Sequence, residues 1–181
     1  MLNRDSVNKK LITVCSDIRP HLEVKNSPIQ GKGVFTTIGF RKGTSLFEIV
    51  GKKLQHEYDP ALSEQNPNWI GIGYEQWLEL EPGNIAIYLN HSCNPNVIIN
   101  EKYEIVTIAP VKIQQELLLD YSTTELDPYW KMNCSCGAAQ CRKVLRSFQF
   151  LPDDLQKKYQ KYLPAFFSST AQVLALHQKA S

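Results

Sequence analysis

No stretch of this sequence approaches the roughly 18 consecutive apolar residues that a membrane-spanning helix requires, so a bilayer is not its expected solvent. An excess of charge of either sign is equally missing. Lys and Arg number 20 against 18 Asp and Glu, a formal net charge of +2, which lacks the concentrated basic excess of a dedicated polyanion binder; direct nucleic-acid binding is not expected. Cysteine is scarce, with five residues that gather towards the C-terminus, which does not describe the disulfide framework of a small secreted domain. Reduced thiols and a cytoplasmic or nuclear location are expected instead. The apolar stretch from Leu11 to Cys15, behind Arg4, Lys9 and Lys10, is too short for a signal peptide. No internal repeat is visible.

What the chain does contain fits one globular domain with a small appendage, since 181 residues, 43% of them hydrophobic, suffice for an independent core. Ten prolines and nine glycines divide it into short elements rather than a helical bundle. The stretches His21 to Lys25, Thr44 to Val50, Trp69 to Gly73 and Glu104 to Ala109 are rich in β-branched and aromatic residues and bounded by turn formers, which predicts strands of small sheets. Arg41 to Gly43 and Glu81 to Asn84 predict turns, the second opening a short helical piece that runs to Leu89. After Leu151 the pattern changes. Pro152, Asp153 and Asp154 form a helix start, and Leu155, Tyr159 and Tyr162 recur at helical spacing, predicting an amphipathic helix. A second helical stretch follows Pro164, with Phe166, Phe167, Val173 and Leu174 available to pack on the β core or on a neighbour.

Cys134, Cys136 and Cys141 form the pattern C-x-C-x4-C, with Gly137 free to turn the backbone between the second and third. Structural zinc takes four tetrahedral ligands, with thiolate sulfur at about 2.3 Å, so a fourth ligand has to come from elsewhere; Cys93, in the polar turn Asn90 to Asn96, is the best candidate. Three cysteines alone also admit a redox site. Cys15, beside apolar residues, reads as an inert buried thiol. The turn from Leu89 to Asn96 is dense in hydrogen-bonding side chains able to satisfy one another, and a lone histidine such as His91 is more often simply hydrogen-bonded than catalytic. Gln114 to Tyr121 reads as an apolar strand ending in Asp120 and Tyr121. The two glycines of GKGVF, residues 31–35, let backbone approach a ligand closely, at a spacing that is not the phosphate-binding one.

Taken in order, GKGVF, NHSCNPN, ELLLDY and CSCGAAQC resemble the signature of SET-domain protein lysine methyltransferases with a post-SET zinc segment. The resemblance covers Pro20 to Leu145. It implies a mainly β (α+β) SET fold of small β-sheets with a pseudoknot, a threading rare elsewhere, followed here by a C-terminal helical appendage. The implied organisation is an N-terminal arm at 1–19, the SET domain at 20–125, the post-SET zinc segment at 126–146 and a helical extension at 147–181. S-adenosylmethionine is the implied methyl donor, held by backbone around Lys32, Gly33 and Val34 and by Asn90 and His91, with Trp69 at its border. Met132, assisted by Trp130, stands where the family packs an aromatic on the adenine. The implied structural zinc takes Cys93, Cys134, Cys136 and Cys141.

Tyr121 matches the family's catalytic tyrosine. The implied lysine channel includes Ile49, Tyr88 and Leu119; Ile49 stands where Tyr is common, Leu119 where Phe or Tyr is usual, and Gln115 replaces the usual Gly before Glu116. An apolar residue at Leu119 leaves space beside the amine, so di- or trimethylation is expected. The implied partner is a protein that presents a lysine, a histone tail or another basic protein, with no membrane involved. The same altered channel positions motivate a second reading, a zinc-stabilised peptide-binding module of this fold that has lost turnover.

Overall fold

The computed structural model describes residues 19–59, 61, 69–167 and 169. Cys15, nearly all of the expected N-terminal arm, most of the segment between Asp59 and Trp69, and Val173 and Leu174 of the expected second helix lie outside the described residues.

Short strands follow from the turn chemistry. Leu22–Asn26 (β1) and Lys32–Thr36 (β2) pair antiparallel across a turn closed by Ser27 N donating to Gly31 O at 2.9 Å. Ser45–Glu48 (β3), Val97–Ile99 (β8) and Glu104–Thr107 (β9) form a three-stranded sheet in the order β3-β9-β8. Gly51–Gln55 (β4), Trp69–Gly73 (β5) and Gln76–Leu80 (β6) form another, in the order β4-β6-β5. Lys131–Asn133 (β11) and Val144–Arg146 (β12) make a separate antiparallel hairpin.

The remaining pair joins chain segments far apart in sequence. Asn90–His91 (β7) runs parallel to Leu118–Leu119 (β10), although the residues between them build β8 and β9 in another sheet. Ser92 N donates to Leu119 O at 2.9 Å and Asn96 N to Leu118 O at 3.0 Å, so both arms of the 90–96 loop grip the strand. The Asn96 side chain completes the grip: Nδ2 donates to Glu116 O at 2.7 Å and Oδ1 accepts from Leu118 N at 2.8 Å. This is the expected threading.

Two apolar cores result. The alternation of a strand places Val97 and Ile99 of β8 in the larger core, with Val34, Ile105, Leu117 and Leu119, and Ile98 in the smaller one, with Leu126, Phe148, Leu151 and Tyr159. Asp153–Gln160 (α1) closes the smaller core. Asp153 and Asp154 sit at its positive end and Lys157 and Lys158 at its negative end, while Leu155 and Tyr159 share the inward face. Among the described residues no helix is long and apolar enough to cross a membrane.

Candidate active site and metal centre

A cavity of about 930 Å³ lies between the turn that enters β2, the β4-β6-β5 sheet, the threaded segment and the β11-β12 hairpin. That is room for a cofactor-sized molecule. Of the residues singled out for the donor, the channel and catalysis, Lys32, Trp69, Tyr88, Asn90, Leu119, Tyr121, Trp130 and Met132 line it. Four do not. Ile49, just past the exposed Glu48 that ends β3, turns back into the larger core, where it is 3% exposed, and it is not on the cavity lining. Val34 is fully buried, and a side chain on Gly33 would collide with Glu116 Oε1, so both lie one layer behind Lys32. His91 turns its imidazole away, towards the cysteines.

The wall from 85 to 91 is set by hydrogen bonds. Asn84 caps the 3₁₀ turn Ile85–Tyr88 through Ala86 N, which delivers Tyr88 and Leu89 to the cavity rim. Asn90 Nδ2 faces Gln30 O at 3.1 Å, Lys32 O at 3.0 Å and Glu116 Oε1 at 2.8 Å. Both amide hydrogens are thereby committed, and Oδ1 is what Asn90 has to offer a ligand. Glu116 is itself buried and takes a second bond from Ser27 Oγ at 3.0 Å.

Tyr121 opens the 3₁₀ turn Tyr121–Thr123, capped by Asp120 Oδ1 accepting from Ser122 N at 3.1 Å. Its backbone N donates to His91 Nδ1 at 3.2 Å and its hydroxyl to Leu89 O at 2.8 Å. Burial, reinforced by the Glu116 charge, pushes the phenol up to about 12, so it is protonated at neutral pH. With its hydrogen committed to Leu89, the oxygen remains as an acceptor.

The opposite wall is aromatic and acidic. His56 stacks on Trp69 with ring centroids 5.4 Å apart, Trp69 meets Trp77 at 5.6 Å, and Trp77 Nε1 donates to both Glu125 oxygens at 3.3 and 3.2 Å. Glu57, Asp59, Glu125 and Asp127 line this side, and Lys32 lines the other. Burial pushes Glu125 up to about 7 against the hydrogen bonds from Asp127 N, Leu126 N and Trp77.

Behind the site, Cys93 Sγ lies 3.9 Å from Cys134 Sγ, and Cys134 Sγ 3.6 Å from Cys141 Sγ. Four thiolates at about 2.3 Å from a tetrahedral zinc stand about 3.8 Å apart, so these spacings fit that ion. His91 Nε2, Cys93, Cys134 and Cys136 also fall within 4.8 Å of one another, which presents five donors for four positions. Hydrogen bonding separates them. Because His91 Nδ1 accepts from Tyr121 N, its proton sits on Nε2, which then donates to Cys93 Sγ at 3.3 Å and has no lone pair for a metal. Burial, with Arg142 adding to it and Asp120 opposing, lowers His91 to about 4 and keeps it neutral. Cys93 N donates to Cys136 Sγ at 3.4 Å and Arg142 N to Cys93 Sγ at 3.3 Å, bonds that favour thiolates, although at Cys93 burial outweighs them and pushes the thiol up. Burial works against ionisation of Cys136, but the amides of Cys93 and Ala138 outweigh it and bring that thiol down to about 7. Gly137 makes the turn at φ +74°.

Glu116, Asp120 and Arg142 carry more of this geometry than the sequence reading gave them. Arg142 clamps Asp120 through both terminal guanidinium nitrogens, Nη1 to Oδ2 at 2.8 Å and Nη2 to Oδ1 at 2.6 Å. An acid in an apolar strand and a base beside a cysteine were the available signals, and neither reveals its partner.

A threaded β7-β10 pair beside a tyrosine-lined cavity and a four-thiol cluster defines a class: the SET-domain model matches residues 31–122, and the chain belongs to that family. Among similar proteins, the histone-lysine N-methyltransferase trr of Drosophila melanogaster is 30% identical over 139 residues, 69% of this chain and 6% of that protein. Human histone-lysine N-methyltransferase 2D is 31% identical over 131 residues, 65% of this chain and 2% of that protein. Su(var)3-9 of Drosophila pseudoobscura pseudoobscura is 29% identical, covering 70% of this chain and 25% of its own length. The chain thus spans a minor part of the relatives it matches. In fold it is similar to KRYPTONITE, solved in complex with mCHG DNA and SAH, with a TM-score of 0.54 and 24% identity over 69% of this chain and 29% of that one.

Proposed function

We propose that the chain is an S-adenosylmethionine-dependent protein lysine N-methyltransferase. The observation that carries this is one cavity with a basic, amide-lined wall on one side, an acidic aromatic wall on the other, and Tyr121 and Leu119 on its lining. When bound, S-adenosylmethionine supplies a methyl group activated by a positively charged sulfur. Lys32 and Asn90 Oδ1 suit the charged amino-acid end of such a donor, and Met132, Trp130 and Val144 offer its ring a mostly apolar surface.

A lysine amine attacks only when neutral, and with a reference pKa of about 10.4 only about one molecule in a thousand is neutral near pH 7.4, a cost of about 4 kcal/mol. Leu119, Ile70 and Ile87 strip water from the ammonium and lower that cost. The Tyr121 oxygen, left free to accept, aligns the amine N–H. Leu119 adds no second hydroxyl to occupy space beside the amine, which favours addition of two or three methyls. Glu57, Asp59 and Asp127 give the far wall a negative potential that draws a basic segment, and a histone tail meets that requirement. The related KRYPTONITE has been solved with an H3(1-15) peptide.

Cys93, Cys134, Cys136 and Cys141 hold structural zinc in this reading, which fixes the β11-β12 hairpin and takes no part in transfer. The proposed segments remain 1–19, 20–125, 126–146 and 147–181, and a histone substrate would place the protein in the nucleus. Core histones incubated with methyl-labelled donor test the proposal. Label on lysine is expected, reduced about 100-fold by Tyr121→Phe, with S-adenosylhomocysteine binding kept. Binding of S-adenosylhomocysteine with no transfer to any lysine-bearing protein would overturn it in favour of a peptide-binding module.

A further inference from the structure

Asp120 is a buried carboxylate, 1% exposed, placed one residue before Tyr121. Ordering the turn that carries Tyr121 requires its charge to stay in place without water, so the compensating group matters. That group is Arg142, which arrives from the segment after the last cysteine, 22 positions along the chain. Its guanidinium binds Asp120 bidentately, and Nη2 also donates to Ser122 Oγ at 3.2 Å, so one planar fork spans both sides of Tyr121 in sequence. Its backbone N donates to Cys93 Sγ, which fixes the same residue to the thiol cluster. From behind, α1 contributes Tyr159, fully buried, whose phenol feels the charges of Asp120 and Arg142.

We propose that Arg142 is a positioning residue for methyl transfer: clamped on Asp120, it holds the Asp120–Thr123 turn so that the Tyr121 hydroxyl is presented to the cavity, and it ties that geometry to the folded cysteine segment. The inference rests on the methyltransferase reading only for its kinetic consequence. The hold on Tyr121 is a property of the protein alone.

The chain, carrying 3-fluorotyrosine at position 121, allows both parts to be measured. In Arg142→Met the ¹⁹F resonance should shift or broaden, and methyl transfer to core histones should fall about 30- to 100-fold. Bound zinc and the affinity for S-adenosylhomocysteine should stay within about threefold of wild type. Guanidinium chloride at tens of millimolar should restore part of the rate. Arg142→Lys, which keeps the charge and loses the fork, should show a smaller loss, and Arg146→Met, which removes a cation stacked 3.4 Å over Phe150 on the same hairpin, should change neither signal nor rate. An unchanged ¹⁹F signal in Arg142→Met and Arg142→Lys would overturn the proposal. So would joint loss of zinc, S-adenosylhomocysteine binding and signal in both variants, since Arg142 would then be a folding residue of the cysteine segment. If the wild type binds S-adenosylhomocysteine and methylates nothing, the methyltransferase reading fails, and the ¹⁹F comparison still decides what Arg142 does.

Discussion

Two of the walls that frame the cavity, the 85–91 segment and the β11-β12 hairpin, are held by different physics. The wall from 85 to 91, with the threaded strand β10, is backed by the larger core: Leu89, Leu117 and Leu119 are each at most 4% exposed, and Asn90, Asn96 and Glu116 are bonded on several sides. The hairpin wall has almost no core of its own. All three residues of β11 are exposed, and Leu145 is the buried residue of β12. Its order comes from the thiol cluster and from the Arg142–Asp120 pair. Hydrophobic burial distributes stability over many contacts, whereas a ligand cluster concentrates it in a few groups, so the walls should fail under different insults.

Metal removal breaks the comparison most sharply. Chelation, or Cys134→Ser, is expected to abolish methyl transfer while the melting temperature of the main core drops by no more than about 5 °C. A collapse of near-ultraviolet circular dichroism across the whole protein would show that the walls are not independent. Phe148→Ala, in the smaller core that α1 closes, should destabilise the fold by about 3–5 kcal/mol in urea titrations.

Glu125 sharpens it through pH. Its carboxyl is raised from 4.5 to about 7, so it contributes stability fully present below about pH 4.5 and lost as pH rises through about 7. The loss amounts to about 3 kcal/mol at 1.36 kcal/mol per unit. Glu125→Gln should flatten the fall in urea midpoint between pH 5 and pH 8; an unchanged slope would mean that the acidic wall is not strained by this charge. Glu116→Ala should weaken S-adenosylhomocysteine binding by about 1–3 kcal/mol in calorimetry, because Asn90 loses the acceptor that fixes its amide. Leu119→Tyr, the smallest change, should shift mass-spectrometric products towards monomethyl-lysine with the fold intact.

Much of the fold was legible because its strands are marked by composition. Trp69–Gly73 matches its expected bounds, and the strands expected at His21 to Lys25 and Thr44 to Val50 form at Leu22–Asn26 and Ser45–Glu48, moved or trimmed by the turns that flank them. The helix expected after Pro152 forms at Asp153–Gln160. β7 and β11 were not legible as strands. Two or three residues show no period, and their pairing is dictated by threading and by the cysteines rather than by side-chain pattern. The same reason shortened the expected Gln114 to Tyr121 strand: Asp120 caps a turn instead of continuing it.

At the site, the cysteines could be picked out by their spacing, and Asn90 and Tyr121 only through the resemblance of their motifs, taken together, to a known family. Ile49 sits in the larger core, and the alternation of exposed Glu48 with buried Ile49 past the end of β3 does not by itself tell a core position from a cavity position. Arg142 is one of 20 basic residues, and nothing in its neighbours says that Asp120 is waiting for it.

A crystal structure of the chain with S-adenosylhomocysteine and an H3-tail peptide is the most direct trial. The homocysteine sulfur and a lysine Nζ should meet beside the Tyr121 hydroxyl, the amino-acid end on Asn90 and Lys32, and the peptide along the wall of Trp69, Trp77 and Asp127. Finding the nucleoside elsewhere, or the lysine side chain outside the cavity with Tyr121 untouched, would contradict it.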